Sequence, residues 1–506
     1  MAYENLREMA VEAFYHIEKK EFHKAEKKLT YLLDLNPKAH ILYYYLGCLY
    51  YGKKQYAFAT MAYEKALELQ PNFDECLNNM ASAYRILGDI EACVICFTRA
   101  VEIASSPAYL AKCENDKARA DKNLAEYWAN LGSCYVGRGN PKQAIEHLQK
   151  SIDILPGTPN AMWNIGLAYL ESGVYDKGFE GYSYNLLQKE AKTRNYHAPH
   201  GTTPAWGGPR PHTVAGVALS KPTVVVYGEQ GIGDEIMFAS MLNEIAQDAN
   251  VIMETHPRLL EMFRGSFKNI TFYGTRKAIE ISWLKNHKQI DFQIPISQLG
   301  QFYRKSKDAF PGAPYLNVAQ KYIDKAADRL VTLDVKGRKP KIGISWKGGV
   351  GSTNKPTRSI PLTELLPIFQ DQYDIISLQY HCNARAEVDA FNESQGRDVI
   401  THWQDIVDDY DLTAGLLFNL DLVISVPQSV IHLAGALGVR TIQMCPKEAL
   451  WQVGPYGEDA PWYKSVTNRW QLEGGNWSTV VADVAMELEH KGNLLNANHG
   501  RISETK

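Results

Sequence analysis

Along the first third of the chain, small and large apolar residues recur in a fixed order with a period of 34 residues: Pro37 and Pro71 stand one period apart, and Ser105 falls one period later. Tyr43, Leu46, Gly47, Tyr50, Ala59, Tyr63 and Ala66 lead to Pro71. Leu77, Met80, Ala81, Tyr84, Cys93, Phe97 and Ala100 fill the same slots in the next unit. After an insertion, Trp128, Leu131, Gly132, Tyr135, Ala144, Leu148 and Ser151 lead to Pro156. Ala13, Ala25, Leu29 and Leu32 fit more loosely before Pro37, and a further unit covers 161–187 with Gly166, Tyr169 and Gly173 in place. Each unit reads as a helix pair. Its small residue (Gly47, Ala81 or Gly132) allows close approach, aromatics fill the gaps, and the final proline stops the second helix. One pair has too little core, so neighbours stack into a superhelix with a concave face. The charged insertion 107–123 breaks the period and fits either an extended helix or a loop.

This pattern resembles the tetratricopeptide repeat family, which implies a partner-binding array with no chemistry of its own. Cys93 and Cys96 form a CxxC pair, but it falls within a helix without a second pair and is read as core.

Beyond the array the periodicity is lost. Residues 196–222 are rich in Pro, Gly, His and Thr and predict a linker. The pattern then changes to short apolar runs. Thr223–Tyr227 predicts a buried strand, followed by Gly228-Glu-Gln-Gly-Ile-Gly-Asp-Glu235 and a helix over 236–246. Strand, glycine-rich turn and helix open a nucleotide-type α/β domain. Further strands are predicted at Val251–Glu254, Ile270–Tyr273 and Ile290–Ile294. A second α/β unit starts at Lys341–Trp346 and continues through strands 374–379, 421–425 and 441–444 and a helix over Ser429–Leu437. Two such units predict facing lobes with a cleft at the carboxyl ends of their strands.

Composition narrows the class further. A 506-residue chain needs more than one core. With 45% hydrophobic and 22% charged residues it suits a globular protein, and a net charge of −3 gives no reason to expect nucleic acid or a membrane surface. The basic run Lys336–Lys341 reads as a solvated interdomain loop. The start carries acids and no apolar signal core, and no stretch reaches the ~18 apolar residues of a membrane helix. Eight cysteines placed mostly in helical patterns predict a reducing, cytoplasmic setting.

GEQGIGDEIMFASML, TRSIPLTELLPIF, SLQYH, NLDLVISVPQSVIHLAGALG and DAPWYK resemble the C-terminal module of tetratricopeptide-repeat glycosyltransferases, as do Pro204-Ala-Trp-Gly-Gly208 and Gly178-Phe-Glu-Gly-Tyr182. That module has the GT-B fold and is related to the heptosyltransferases of family 9. The implied fold is an α-solenoid followed by two Rossmann-like α/β lobes. The implied layout is a repeat array over 1–195, a linker over 196–222, an acceptor-side lobe over 223–335, a nucleotide-sugar lobe over 336–490 and a polar tail over 491–506.

Sugar transfer needs a base at the acceptor hydroxyl and stabilisation of the departing diphosphate. Asp234 matches the family's candidate base and equally suits a helix cap. Glu229, Gln230, Gly231 and Gly233 belong to the same acceptor-side loop. For the diphosphate, the strand-to-helix turn from Ser425 through Gln428 to Ser429 offers free N–H groups at a positive helix end. His432 matches a family histidine and suits either a phosphate or sugar contact or a buried structural role. Lys347, Lys355 and Arg358 supply cations on the glycine-rich loop 346–359. Asp409-Tyr-Asp411 imitates a metal-binding DxD but is better placed as a helix cap, and no HExxH or Cys/His cluster occurs. The resemblance thus implies a metal-independent enzyme with no cofactor, a nucleotide-sugar substrate, and a protein or other large acceptor brought by the repeats. One departure stands out. Where the family commonly has Asp-Thr, this chain has Pro427-Gln428, which admits a non-catalytic scaffold as the alternative.

Overall fold

The computed structural model describes residues 2–187, 197–198, 201–214, 217–276, 278, 281–333, 339–349, 355–380 and 382–495. The chain divides into two compact units, Met1–Ala168 and Tyr169–Lys506.

The first unit is a helical repeat array. It comprises α1 (Ala2–Glu18), α2 (Phe22–Leu35), α3 (His40–Gly52), α4 (Tyr56–Leu69), α5 (Asp74–Leu87), α6 (Ile90–Ala104), α7 (Pro107–Lys112), α8 (Lys117–Ser133), α9 (Pro141–Ile154) and the start of α10 (Pro159–Glu171). The pairs are α1 with α2, α3 with α4, α5 with α6, and α8 with α9. Their spacing is set by the small residues. A Cβ on Gly47 would lie 2.3 Å from the Tyr63 ring, and one on Gly132 would lie 2.6 Å from Leu148. Tyr63, Phe97 and Leu148 are buried in return, which for apolar side chains of this size contributes roughly 1.5–3 kcal/mol each. The insertion is helical throughout: Ser106 caps α7, a 3₁₀ turn follows, and α8 starts early at Lys117. Cys93 faces Cys134 with 3.3 Å between sulfurs, and Cys96 is also buried, so the CxxC pair is core.

The boundary at 168/169 falls inside α10, and α11 (Tyr175–Tyr182) belongs with the second unit. Its aromatic face explains this. Phe179 fills the space that a Cβ on Gly300 would need, and Phe179 and Tyr182 pack on Trp451. The segment expected to be a linker is also part of this unit. Ala205 bridges Gln293 in parallel, Trp206 N–H donates to the Gln293 carbonyl at 2.9 Å, and the Trp206 ring is buried between Phe302 and Tyr303.

Two parallel sheets follow. The first contains β1 (Thr223–Tyr227), β2 (Asn250–Glu254), β3 (Ile270–Tyr273) and β4 (Phe292–Pro295) in the order β3-β2-β1-β4. Its helices include α12 (Ile232–Ala239), α13 (Leu242–Asp248) and α14 (Leu260–Ser266). The short α15 (Gly300–Tyr303) and α16 (Gln320–Val331) come next, and α16 packs on the helix Tyr410–Phe418 of the second half. The second sheet contains β5 (Lys341–Ser345), β6 (Asp374–Ser377), β7 (Ile400–Thr401), β8 (Leu422–Ser425), β9 (Thr441–Cys445) and β10 (Val466–Trp470), ordered β7-β6-β5-β8-β9-β10. The helices of this half are α17 (Ala384–Gln395), α18 (Gln404–Asp408), α19 (Tyr410–Phe418), α20 (Ser429–Leu437) and α21 (Ser478–Leu495). Ile342, Ile344, Ile424 and Ile442 form its core with Trp477 and Val480, and α21 ends at Leu495, inside the segment expected to be a polar tail. In both sheets the chain reverses direction between the first and fourth strands. In such sheets a crevice opens there, at the strands' carboxyl ends.

Candidate functional site

Two helices meet at these crevices. After β1 the chain turns through Gly228–Gly231 into α12; after β8 it turns through Val426–Gln428 into α20. The helices cross where a Cβ on Gly233 would lie 3.0 Å from Ser429 Cα and 3.1 Å from the His432 ring. Glycine at 233 is therefore a packing requirement that brings the two helix starts together. Gly231 is the N-cap of α12, and its N–H donates to Asp234 Oδ2 at 3.1 Å. Asp234 Oδ1 accepts from Gln452 Nε2, also at 3.1 Å. Asp234 thus caps its own helix and still faces the second half.

A cavity of about 300 Å³ lies between these elements. Its wall includes Gly231, Gly233, Asp234, Arg258, Gly349, Arg358, Tyr380, Tyr410, Gln428, Ser429, His432 and Gln452. Seven residues expected at the site are gathered here from the two α/β units, Asp234, Gly231 and Gly233 from one and Arg358, Gln428, Ser429 and His432 from the other.

The electrostatics follow from burial. Arg358 is buried, which lowers its affinity for its proton, while Tyr380 and Asp234 oppose that effect; a guanidinium remains cationic regardless. Burial lowers His432 to about 4, against the pull of Asp234, so its ring is neutral at pH 7. His432 Nδ1 pairs with the Tyr463 hydroxyl at 3.2 Å. The Ser429 hydroxyl accepts from Tyr410 at 2.9 Å. The start of α20 lines this cavity through Gln428 and Ser429, and a helix start carries the positive end of the helix dipole. A carboxylate, a buried guanidinium and a helix start around one cavity can hold an anionic ligand and take a proton from a neighbouring group.

Other expected residues lie elsewhere. Lys347 donates to Glu387 of α17, a partner far along the chain. The Ser425 hydroxyl is buried and donates to the Val426 carbonyl at 2.8 Å. The Glu229 carboxylate is buried beneath the turn, and burial raises it to about 8, with Ser297 and Arg276 opposing. Gln230 forms the bend beside it. Residues 350–354 and the Lys355 side chain lie outside the described residues. On either side of them Lys347 bridges Ser359, and Gly348 N–H donates to the Arg358 carbonyl at 3.0 Å. Gly348 packs so closely on Pro427 that a Cβ would lie 2.4 Å from the Pro427 carbonyl oxygen.

Arg258, Tyr410 and Gln452 were not anticipated. Arg258 stacks on Tyr410 at 4.5 Å and donates to the Asp408 carbonyl at 2.8 Å. Asp409 Oδ1 accepts from the N–H groups of Asp411 and Leu412, so the DxD string caps α19. Among the described residues no group of three or more His, Cys, Asp or Glu could hold a metal ion, and no helix is long and apolar enough to cross a membrane.

Tetratricopeptide repeat models match residues 41–73, 62–94 and 125–158. The chain is 24% identical over 472 residues to Protein FlbA of Caulobacter vibrioides, spanning 90% of this chain and 68% of that protein. It is 28% identical over 155 residues to a BBSome complex member BBS4 homolog of Drosophila melanogaster, covering 27% of this chain and 32% of the homolog. Among solved structures, it is similar to YrrB, a tetratricopeptide protein with an unusual peptide-binding site (22% identity, TM-score 0.28, 34% of this chain and 81% of that one). MamA is comparable (23% identity, TM-score 0.29, 35% and 93%). The repeat-model matches and the helix pairs make the first unit a tetratricopeptide-type array, and such repeats suggest protein partners.

Proposed function

We propose that the second unit is a metal-independent glycosyltransferase of the GT-B type. It transfers a sugar from a nucleoside diphosphate to a hydroxyl of a protein or other large acceptor recruited by the repeats. The observation that carries this reading is the shared cavity: Asp234 faces it from the start of α12, while Arg358 and the start of α20 line it from the other side.

In the reaction, the acceptor oxygen attacks the anomeric carbon as its proton passes to Asp234 Oδ1. The bond between the anomeric carbon and the diphosphate oxygen breaks, and its electron pair leaves on the diphosphate. Arg358 and the N–H groups of α20 stabilise that charge, the contribution expected of preorganised donors in a water-poor site. His432, neutral and tied to Tyr463, shapes the wall between the two.

A second reading is an interaction scaffold with a transferase-like half that only binds. It is favoured by the existing engagement of both Asp234 oxygens and by Pro427-Gln428. Release of nucleoside diphosphate from a panel of nucleotide sugars separates the two. The enzyme reading expects release that falls at least ~100-fold in Asp234→Asn, in line with loss of general-base catalysis. Release unaffected by that change defeats the proposed base, and absence of any binding supports the scaffold.

A further inference from the structure

Cys93 lies on α6, and Cys134 closes the C-terminal end of α8, the neighbouring helix that packs on it. Their sulfurs are 3.3 Å apart inside the repeat core, with both residues buried. The repeat does not require sulfur at either place. Ala59 and Ala144 fill the slot of Cys93 in the units on either side, and Leu49 and Ala83 fill the slot of Cys134. Two cysteines from different slots of different units therefore meet. The sulfur against Cys93 belongs to Cys134, 41 positions on, rather than to Cys96 of the CxxC string.

The protons of the pair are ordered. Cys134 donates its own to the Asn130 carbonyl at 3.4 Å, which leaves Cys93 as the donor between the two sulfurs. That contact, with the charges of Arg85 and Arg138, lowers Cys134 below the ordinary thiol value against the effect of burial. Arg85 is held nearby by its hydrogen bond to Ser133 Oγ at 3.2 Å. The thiolate is the reactive form of cysteine, so the surroundings single out Cys134 as the attacking sulfur. Cys134 also stands where α8 gives way to a turn through Gly137 and Gly139, both at positive φ. Opening that one turn admits a water-sized reagent without unfolding a repeat.

We infer that Cys93 and Cys134 form a modification site, at which hydrogen peroxide drives a reversible disulfide that ties α6 to α8. The Cys134 sulfur attacks one peroxide oxygen; an S–O bond forms, the O–O bond breaks and the other oxygen leaves as water. The Cys93 sulfur then attacks Cys134; the S–S bond forms, the S–O bond breaks, and the hydroxyl leaves as water with the Cys93 proton. Two thiols lose two electrons, and peroxide becomes two waters. All eight cysteines are free before this reaction, so the bridge is a response and not a standing part of the fold. It closes a loop that contains α7 and fixes the helix pairs on either side of the insertion. The site belongs to the first unit and does not depend on the glycosyltransferase reading.

The test treats the dilute full chain with a small excess of hydrogen peroxide under native conditions, then alkylates, digests and maps it by mass without reduction. The predominant crosslink should join the peptides of Cys93 and Cys134, two hydrogens lighter than their sum, and dithiothreitol should abolish it. The midpoint of the helical melt should rise by about 5–10 °C and return on reduction. Cys93→Ala, which installs the residue of the neighbouring units at that slot, should show neither the crosslink nor the rise. Recovery of Cys93 and Cys134 on separate peptides, or a predominant bridge from Cys93 to Cys96, overturns the inference on the wild-type chain alone. A rise that persists in Cys93→Ala, or a bridge that leaves the melt unchanged, overturns the tie between α6 and α8.

Discussion

Replacing Glu229 by Gln should make the second unit more stable at alkaline pH and leave its stability at acid pH nearly unchanged. The Glu229 carboxylate oxygens are buried, and burial raises the group from 4.5 to about 8, with Glu235 and Asp234 adding like charge. The folded protein therefore holds a proton that the unfolded chain releases from about pH 4.5 upward. A group raised in the folded state contributes stability that is fully present below its unfolded value and is lost as pH rises through the folded one. The gap from 4.5 to about 8, at about 1.4 kcal/mol per pH unit, amounts to about 5 kcal/mol above pH 8. Gln keeps the shape and cannot ionise. Urea unfolding followed by tryptophan fluorescence at pH 5, 7 and 9 gives the stability difference between variant and wild type. That difference should grow in the variant's favour with pH and level off near pH 8. A difference that stays constant from pH 5 to 9 would mean that Glu229 is ionised and solvated in the folded state, and the argument from burial would fail.

Other outcomes follow from the same physical accounting. His432 is lowered to about 4, so stability should fall as pH drops from 6.5 towards 4, by about 3 kcal/mol in total, and His432→Gln should flatten that limb of a pH–urea profile. Gly47→Ala drives a methyl into the buried Tyr63 ring and should cost about 1–3 kcal/mol in a far-UV circular dichroism melt of the full chain, whereas an unchanged melt would refute the close approach of α3 and α4. Cys382 is exposed, Cys48 and Cys113 are half-buried, and Cys76, Cys93, Cys96, Cys134 and Cys445 are buried. A thiol reagent should therefore react fastest at Cys382 in the native protein, and mass mapping of the first labelled site should give Cys382; first labelling at any of the five buried thiols would contradict the burial pattern.

Local patterns in the sequence carried the elements that depend on near neighbours. The repeat slots were legible because each small residue and its large partner recur at a fixed offset, as Gly47 with Tyr63 and Gly132 with Leu148. The turns into α12 and α20 were legible because an apolar run, glycine or proline, and a helix follow in order. What escaped depends on distant partners. Lys347 lies on a glycine-rich loop, as a phosphate ligand would, but its partner Glu387 stands on α17. Arg258 reaches Asp408 across 150 positions, and Gln452 reaches Asp234 across 218, with no periodic signal for either. The segment 196–222 reads as a linker because it lacks periodicity, yet Trp206 docks it on the first sheet through backbone pairing that composition does not encode. Likewise α11 keeps the repeat pattern while its aromatics are buried in the second unit.

The central claim is that one cavity holds the donor between Asp234 and the start of α20. A structure of the full chain with a nucleoside diphosphate hexose tests it most directly. The account predicts phosphate oxygens within hydrogen-bond distance of Arg358 and the α20 N–H groups, with the anomeric carbon turned towards Asp234 Oδ1. A conjugate bound at another place, or with its sugar turned away from Asp234, would contradict it.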